Sequence, residues 1–251
     1  MGNLMPGAEP LFIKGNDMGL LFIHGFTASP YEGSDLARWL HKTSGLTVSI
    51  PLLPGHGTHP EDLRDKTWED WYNFTEDKLF ELKKICQHVF VCGQSVGAAI
   101  ALRLAAYQTF QGVICLAGAV FLKDWRLIFL PLARKIVTYH YKSKGPDIRN
   151  KSLKQEIPNY PKYPVHSVDQ LLELFDNVRK DLPQITIPAL LVHSRKDRTI
   201  HFSNLQYIYD HIASSSKEIM VLEESYHVIS LDVEKEQVFR RIDQFINQNV
   251  T

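Results

Sequence analysis

The chain has 251 residues, and its 28 Lys and Arg residues balance 28 Asp and Glu residues, so its formal net charge is zero. Balanced charge removes the usual basis for binding nucleic acid or an anionic membrane surface. A chain of this length can bury a substantial core, and hydrophobic residues at 44% with charged residues at 22% are typical of a globular protein.

The first ten residues, MGNLMPGAEP, contain no basic segment followed by an apolar one, so we predict that they are not a signal peptide. No apolar run along the chain approaches the length needed to cross a bilayer. The three cysteines have no metal-like spacing, and two of them lie in apolar runs, which favours buried reduced thiols. We therefore expect a cytoplasmic protein without stable membrane insertion.

Six short apolar runs without polar–apolar alternation predict strands that are covered on both faces, at 20–24, 46–50, 89–92, 113–116, 189–193 and 219–222. A further strand is predicted at 11–14, and the Gly-Asn-Asp turn after it favours antiparallel pairing with the next strand. Helical patterns separate the strands, at 30–40, 68–86, 95–108, 203–212 and 233–247. This alternation predicts an α/β fold with a mostly parallel sheet and helices on both faces.

The region 121–183 interrupts the alternation and contains no convincing strand. Residues 125–137 are strongly apolar, and Pro131 is expected to start or kink a helix there. Residues 167–182 return to a helical pattern. An insertion between two strands can only lie outside the sheet, so we predict a small cap at 121–183 on a core formed by 1–120 and 184–251. A plain irregular connection is the alternative.

Residues 93–97, Gly-Gln-Ser-Val-Gly, match the pattern G-x-S-x-G between a predicted strand and a predicted helix. In this arrangement the serine occupies a sharp, strained turn, and the two glycines are needed because their backbones pass close together. A phosphate-binding loop would need a different glycine spacing, or a Lys followed by Ser or Thr, and the stretch has neither. We interpret Ser95 as a nucleophile, with a structural turn serine as the alternative.

A serine hydroxyl needs a base to take its proton, and in this architecture an acid and then a histidine follow the serine along the chain. Asp197 lies in the loop after the predicted strand 189–193, and His227 lies just after the last strand. The carboxyl ends of parallel strands meet at one edge of a sheet, so these side chains can converge there. We therefore predict Ser95, Asp197 and His227 as the catalytic residues.

Negative charge on a substrate oxygen needs hydrogen-bond donors. The predicted strand 20–24 runs into Gly25 and Phe26, and the N–H of Phe26 can point into the site. In G-x-S-x-G sites the second donor is the N–H of the residue after the nucleophile, which is Val96 here. We predict an oxyanion hole formed by these two backbone groups. Three residues are expected to contact substrate: Gly25, Gln94 and Phe129.

Together these motifs resemble the α/β-hydrolases and, more closely, the bacterial carboxylesterases and monoacylglycerol lipases that have a short cap. The likeness runs over nearly the whole chain and rests on Asp197 and on the stretches 24–27, 55–57, 93–97 and 225–229. Gln94, Ala98 and Tyr226 depart from the usual residues, which puts the substrate range in doubt but removes no catalytic group.

The resemblance implies hydrolysis of short- to medium-chain acyl esters or monoacylglycerols through an acyl-enzyme, by a monomer or homodimer that needs no metal or cofactor. The partner would be a small-molecule ester and not a nucleic acid. The rate would fall as His227 becomes protonated, near or below about pH 6.5. A thioesterase or acyltransferase with the same triad is the alternative, and so is a small-ligand binding protein that keeps the fold without hydrolysis.

Overall fold

The computed structural model describes residues 3–130, 132 and 136–250. Nine strands lie within this part of the chain. They are β1 (Leu11–Ile13), β2 (Met18–Ile23), β3 (Thr47–Ile50), β4 (His88–Gln94), β5 (Gly112–Leu116), β6 (Tyr139–Tyr141), β7 (Lys162–Pro164), β8 (Ala189–Ser194) and β9 (Lys217–Leu222). Seven of them form the main sheet in the order β1-β3-β2-β4-β5-β8-β9, and only the β1–β3 pair is antiparallel. The predicted, mostly parallel sheet is confirmed.

Six α-helices are described in the same residues. They are α1 (Tyr31–Ser44), α2 (Trp68–Lys83), α3 (Val96–Tyr107), α4 (His166–Asp181), α5 (Ser203–His211) and α6 (Lys235–Gln248). Each lies within a few residues of a helical pattern in the sequence. Among the described residues no helix combines the length and apolar character needed to cross a membrane.

The two faces of the sheet bury separate hydrophobic clusters, because successive strand residues point to opposite faces. Along β2, Leu21 and Ile23 belong to a cluster that includes buried residues of α2, α3, α4 and α5. Leu20 and Phe22 belong to a second cluster, with buried residues of α1 and α6. Helices therefore cover both faces, as the sequence predicts.

The predicted pairing of the first strand with its neighbour in sequence is wrong. β1 pairs antiparallel with β3, with Leu11 opposite Ile50. Both edges of β2 are occupied by parallel partners, β3 on one side and β4 on the other. The first strand therefore has to join the outer edge of β3, and the hydrogen bond from Asn16 N–H to the Gly45 carbonyl (2.7 Å) directs the turn towards it.

The segment 121–183, here called the cap segment, contains strands that the sequence does not reveal. β6 and β7 form a separate antiparallel pair of three residues each. Strands of this length are too short to show a periodic pattern. Trp125–Phe129 forms a 3₁₀-helix, and Pro131 lies outside the described residues.

Helix α4, at the end of the cap segment, packs on the core. Its buried residues Leu174, Phe175 and Val178 belong to the same hydrophobic cluster as α3. This part of the segment is therefore anchored to the sheet-covering helices. The division into a core and a cap at 121–183 stays a prediction.

Candidate active site

Ser95 occupies a sharp turn between β4 and α3. Its backbone has φ = 58° and ψ = −116°, a conformation that a residue with a side chain rarely adopts. A Cβ added to Gly93 would collide with the carbonyl of Gly97, and one added to Gly97 would collide with the carbonyl of Ile23. The predicted requirement for two glycines is thus confirmed. The turn places the serine side chain directly after the carboxyl end of β4.

The structure brings the three predicted catalytic side chains together. The Ser95 hydroxyl donates to His227 Nε2 over 2.9 Å, and His227 Nδ1 donates to Asp197 Oδ2 over 2.8 Å. Ser95 and His227 are each only 7% exposed, so little water competes for these hydrogen bonds. This continuous chain of donors and acceptors can move the serine proton onto the imidazole as the hydroxyl attacks.

Asp197 is held as a carboxylate by several donors. Its Oδ1 accepts the backbone N–H groups of Thr199 and Ile200, both at 2.8 Å. Burial raises the pKa of this carboxyl, but the neighbouring charges and hydrogen bonds of His227 and His193 hold the pKa well below its usual range. The Asp197 carboxyl group therefore stays ionised, and its negative charge can stabilise the protonated imidazole of His227.

His193, which lies within β8 and was not predicted as a site residue, is a buried neighbour of Asp197. Its Nε2 lies 3.2 Å from Asp197 Oδ2 and 3.1 Å from the Ile200 carbonyl, and its side chain is buried. The signal in the sequence was its place at the end of β8, four residues before the acid. His193 belongs to the set of groups that orient Asp197.

Two carboxylates brace the loop that carries His227. Glu234 accepts the backbone N–H groups of residues 223–225, and Asp232 accepts the N–H of Tyr226 at 2.7 Å. The loop thus gains its shape from side chains that follow it in the sequence. These bonds fix the backbone immediately before His227, so the ring is presented to Ser95 without a regular secondary structure at that position.

Opposing effects act on the pKa of His227. Burial of the ring lowers its pKa, whereas the charge and hydrogen bond of Asp197 raise it, with smaller contributions from Glu32 and Asp147. The net shift is upward from 6.5. The expectation that the rate falls near or below pH 6.5 therefore needs correction. We expect the rate to begin falling at a pH above 6.5, because neighbouring carboxylates stabilise the charged ring and raise its pKa.

The peptide between Gly25 and Phe26 has a defined orientation. The Gly25 carbonyl accepts hydrogen bonds from His24 Nδ1 at 2.9 Å and from the Ala28 N–H at 3.3 Å. Burial lowers the pKa of His24 to about 4, and its Nε2 accepts the Leu53 N–H, so Nδ1 carries the proton. In a planar trans peptide the N–H points opposite to the carbonyl, which turns the Phe26 N–H away from these donors.

The second predicted donor, Val96, is the first residue of α3 and is buried. A residue at this position has an N–H that finds no acceptor within its helix, and the helix dipole favours negative charge there. Gly25 lies against Ser95, since a Cβ on Gly25 would be 3.5 Å from Ser95 Cβ. The backbones that carry Phe26 and Val96 therefore meet beside the serine.

The sequence pattern of the family described as serine aminopeptidase, S33 (Hydrolase_4) matches residues 16–234. The chain belongs to the S33 family. It is 34% identical to a thermostable monoacylglycerol lipase of Bacillus sp. (strain H-257), over 96% of this chain and 95% of that protein. It is 27% identical to a carboxylesterase of Bacillus subtilis (strain 168), over 96% of each chain.

The fold of this S33-family chain is also similar to solved structures. One, from the metagenome-derived lipolytic enzymes LipS and LipT, has a TM-score of 0.92 at 32% identity and covers 98% of this chain and all of the other. A monoacylglycerol lipase of Paleococcus ferrophilus has a TM-score of 0.81 at 15% identity, covering 96% of this chain and 98% of the other. The predicted α/β-hydrolase fold is confirmed.

Two residues predicted to contact substrate in this S33-family chain have different surroundings. The Gln94 side chain is completely buried, and its Nε2 donates to the backbone carbonyl of His227 over 2.9 Å. This position suits support of the imidazole rather than direct contact with a ligand. Phe129 lies in the cap segment, is 52% exposed and packs its ring near Trp125. A role for Phe129 in binding stays a prediction.

Sequence reasoning missed a buried carboxylate in α1. Glu32 is only 3% exposed, and its Oε2 accepts the Gly25 N–H over 2.8 Å. The sequence did contain a signal, because residues 32, 36 and 40 follow helical spacing and thus place Glu32 on the same buried face as Leu36 and Leu40.

Within the described residues, no group of three or more His, Cys, Asp or Glu side chains is arranged to hold a metal ion.

Proposed function

We propose that this protein is a serine carboxylic-ester hydrolase that acts on short- to medium-chain acyl esters or monoacylglycerols through an acyl-enzyme. The observation that carries this proposal is the buried hydrogen-bonded chain from Ser95 through His227 to Asp197. The names of two relatives, a monoacylglycerol lipase and a carboxylesterase, support an ester as the substrate.

In the proposed mechanism, Ser95 attacks the ester carbonyl while His227 Nε2 accepts the hydroxyl proton. The negative charge that develops on the carbonyl oxygen is stabilised by the N–H groups of Phe26 and Val96, and one such donor typically contributes about 3 kcal/mol. His227 then gives its proton to the leaving alcohol. Water, activated by the same imidazole, attacks the acyl-enzyme and releases the acid. Asp197 remains ionised and orients the ring throughout.

The preference for an apolar acyl group is supported by the cap segment. Large apolar side chains there are exposed, including Trp125 (73%) and Ile128 (72%) beside Phe129. Exposed clusters of this kind are typical of ligand-binding or lipid-contacting surfaces. We assign Phe129 to the wall that receives the acyl chain. Residues 121–183 then act as a small cap over the sheet edge.

The test is a substrate panel of nitrophenyl esters from acetate to laurate, monoacylglycerols, an acyl-CoA and an amino-acid anilide, with Ser95→Ala as the control. We expect hydrolysis of esters and monoacylglycerols, and covalent labelling of Ser95 by a fluorophosphonate. Faster turnover of the thioester would favour a thioesterase. Turnover of the anilide alone would favour a peptidase, and an unlabelled Ser95 without any turnover would favour a binding protein.

A further inference from the structure

A buried carboxylate lies directly behind the backbone that carries one proposed oxyanion donor. Glu32 Oε2 accepts the Gly25 N–H, and a Cβ on Gly25 would lie 3.4 Å from that oxygen and 3.5 Å from Ser95 Cβ. The Glu32 carboxylate is therefore separated from the serine by the thickness of one backbone. The mechanism described above makes no use of it.

A lysine of the cap segment supplies the countercharge. The Lys142 ammonium is partly buried and donates to Asn159 Oδ1 over 2.5 Å and to Thr27 Oγ1. Thr27 follows Phe26 and has a left-handed backbone with φ = 62°. Its carbonyl also accepts the Tyr160 N–H over 3.0 Å. Lys142 thus connects the cap segment to the same loop that Glu32 holds from the core side.

The negative charge of Glu32 and the positive charge of Lys142 each stabilise the ionised form of the other group. Burial raises the pKa of Glu32 to about 7, while the Gly25 hydrogen bond and the charges of His227 and Lys142 oppose the rise. Burial lowers the pKa of Lys142 to about 8, and the charge of Glu32 opposes that fall. A well-packed apolar residue at position 32 would avoid this desolvation altogether. An ionisable group kept at such a position calls for a reason other than stability.

We propose that Glu32 is a positioning residue of the hydrolytic site. Its carboxylate, balanced by Lys142, fixes the Gly25 backbone behind the oxyanion donor and adds negative charge that favours the protonated imidazole of His227 during the reaction. This inference rests on the proposed function. It assigns to the α1 helix and the cap segment a shared part in the chemistry at Ser95.

The charged and titratable groups around this network come from several elements. His227 faces Glu32 from the loop after β9, and Asp197 and Asp147 face His227 in turn. Burial, with a smaller effect from the charge of Lys142, keeps the pKa of His56 well below its ordinary value, so this ring stays neutral. Removing the charge of Glu32 therefore acts on His227 and Lys142 and leaves Asp197 and Asp147 in place.

The decisive variant is Glu32→Gln, which keeps an oxygen acceptor for the Gly25 N–H and removes the charge. We expect kcat for nitrophenyl butyrate to fall about tenfold while KM changes by less than about twofold. We also expect the acid limb of the rate profile to move to lower pH by about half a unit, because His227 loses a neighbouring negative charge. A residue with a merely structural role would leave that limb in place.

Asp35→Asn is the matched control, since it removes one carboxylate from the same helix. Asp35 is partly exposed and pairs with Lys235 over 2.6 Å, on another side of α1. This variant should keep the kcat and the pH profile of the natural protein. If Glu32→Gln behaves like Asp35→Asn in both measurements, the proposal is wrong.

Lys142→Met provides an independent test if Glu32→Gln does not fold. Without the ammonium, the pKa of Glu32 rises, so the loss in kcat should be largest near neutral pH and should diminish as the pH increases. The double variant should be no worse than Glu32→Gln alone, because Lys142 acts through the Glu32 charge that the first change already removes. Additive losses would contradict the coupling.

The failure of the proposed function would look different. If Ser95→Ala retained activity, the site assignment itself would be wrong, whatever the Glu32 variants did. If Ser95→Ala abolished activity and a fluorophosphonate labelled Ser95, but Glu32→Gln had no effect, only the role assigned to Glu32 would be wrong.

Discussion

The edge of the main sheet and the cap segment place their functional groups in different ways. At the sheet edge, Ser95 directly follows β4, and Asp197 and His227 lie in the loops after β8 and β9, so the parallel order of these strands brings the three residues together. In the cap segment, the two strands are three residues long and several large apolar side chains are exposed. Regular secondary structure positions the functional side chains at the sheet edge. In the cap segment, contacts between residues far apart in sequence position them.

The difference shows how a site can be assembled from two kinds of constraint. The chemistry sits where the backbone has the least freedom, in a strained turn braced by close glycine contacts. The cap segment reaches this rigid edge at a few points, such as Lys142 on Thr27 and the Asp147 carbonyl, which accepts the His227 N–H over 3.0 Å. We therefore expect changes at the edge to abolish turnover and changes in the cap segment to alter it by degree.

The largest effect is expected at the nucleophile. Ser95→Ala should lower kcat by about 10⁶-fold, since no other group can form the acyl-enzyme. The buried hydroxyl contributes little to packing, so the thermal unfolding temperature should hardly change. Single-turnover kinetics and calorimetry measure the two quantities. A fully active alanine variant would contradict the assignment of the sheet edge as the site.

Loss of the acid should have the next largest effect. Asp197→Asn should lower kcat by about 10⁴-fold, because the imidazole loses the group that sets its tautomer and stabilises its charge. In the natural protein, activity is lost as the pH falls through the raised pKa of His227. Without the carboxylate charge, that loss should occur at lower pH. An unchanged acid limb would show that Asp197 does not act on the ring.

A pair of glycine substitutions compares the stability of the two regions. Gly97→Ala should reduce the free energy of unfolding by about 3 kcal/mol, because its Cβ would collide with the carbonyl of Ile23. Gly145→Ala in the cap segment should change it by less than about 0.5 kcal/mol, since its Cβ would lie 3.4 Å from the flexible Lys154 side chain. Urea denaturation measures both. Equal losses would show that the sheet edge and the cap segment tolerate an added methyl group equally.

The smallest effect is expected in the cap segment itself. Phe129→Ala should lower kcat/KM for laurate esters by about fivefold and leave acetate esters unchanged, because only the longer chain loses an apolar contact. Phe12→Ala is the control, because Phe12 is similarly exposed (54%) but lies on the edge strand β1. A loss that is equal for both chain lengths would argue against an acyl-binding role.

The sequence by itself was sufficient for those features that depend on local pattern. The turn at Ser95 could be predicted because glycine spacing, a preceding apolar strand and a following helix all lie within a short stretch. Asp197 and His227 could be added because parallel strands end at the same edge. The alternation of predicted strands and helices was enough to predict a mostly parallel sheet without knowledge of the side-chain packing.

Only the tertiary structure decided the rest. The edge position of β1 depends on which edges of β2 are already occupied, and β6 and β7 are too short for any periodicity. The contact between Glu32 and Gly25 and the approach of Lys142 to Thr27 depend on how α1 and the cap segment dock around one loop. No local sequence pattern encodes these two contacts, because their energies depend on burial and on electrostatic interactions between parts of the chain that are far apart in sequence.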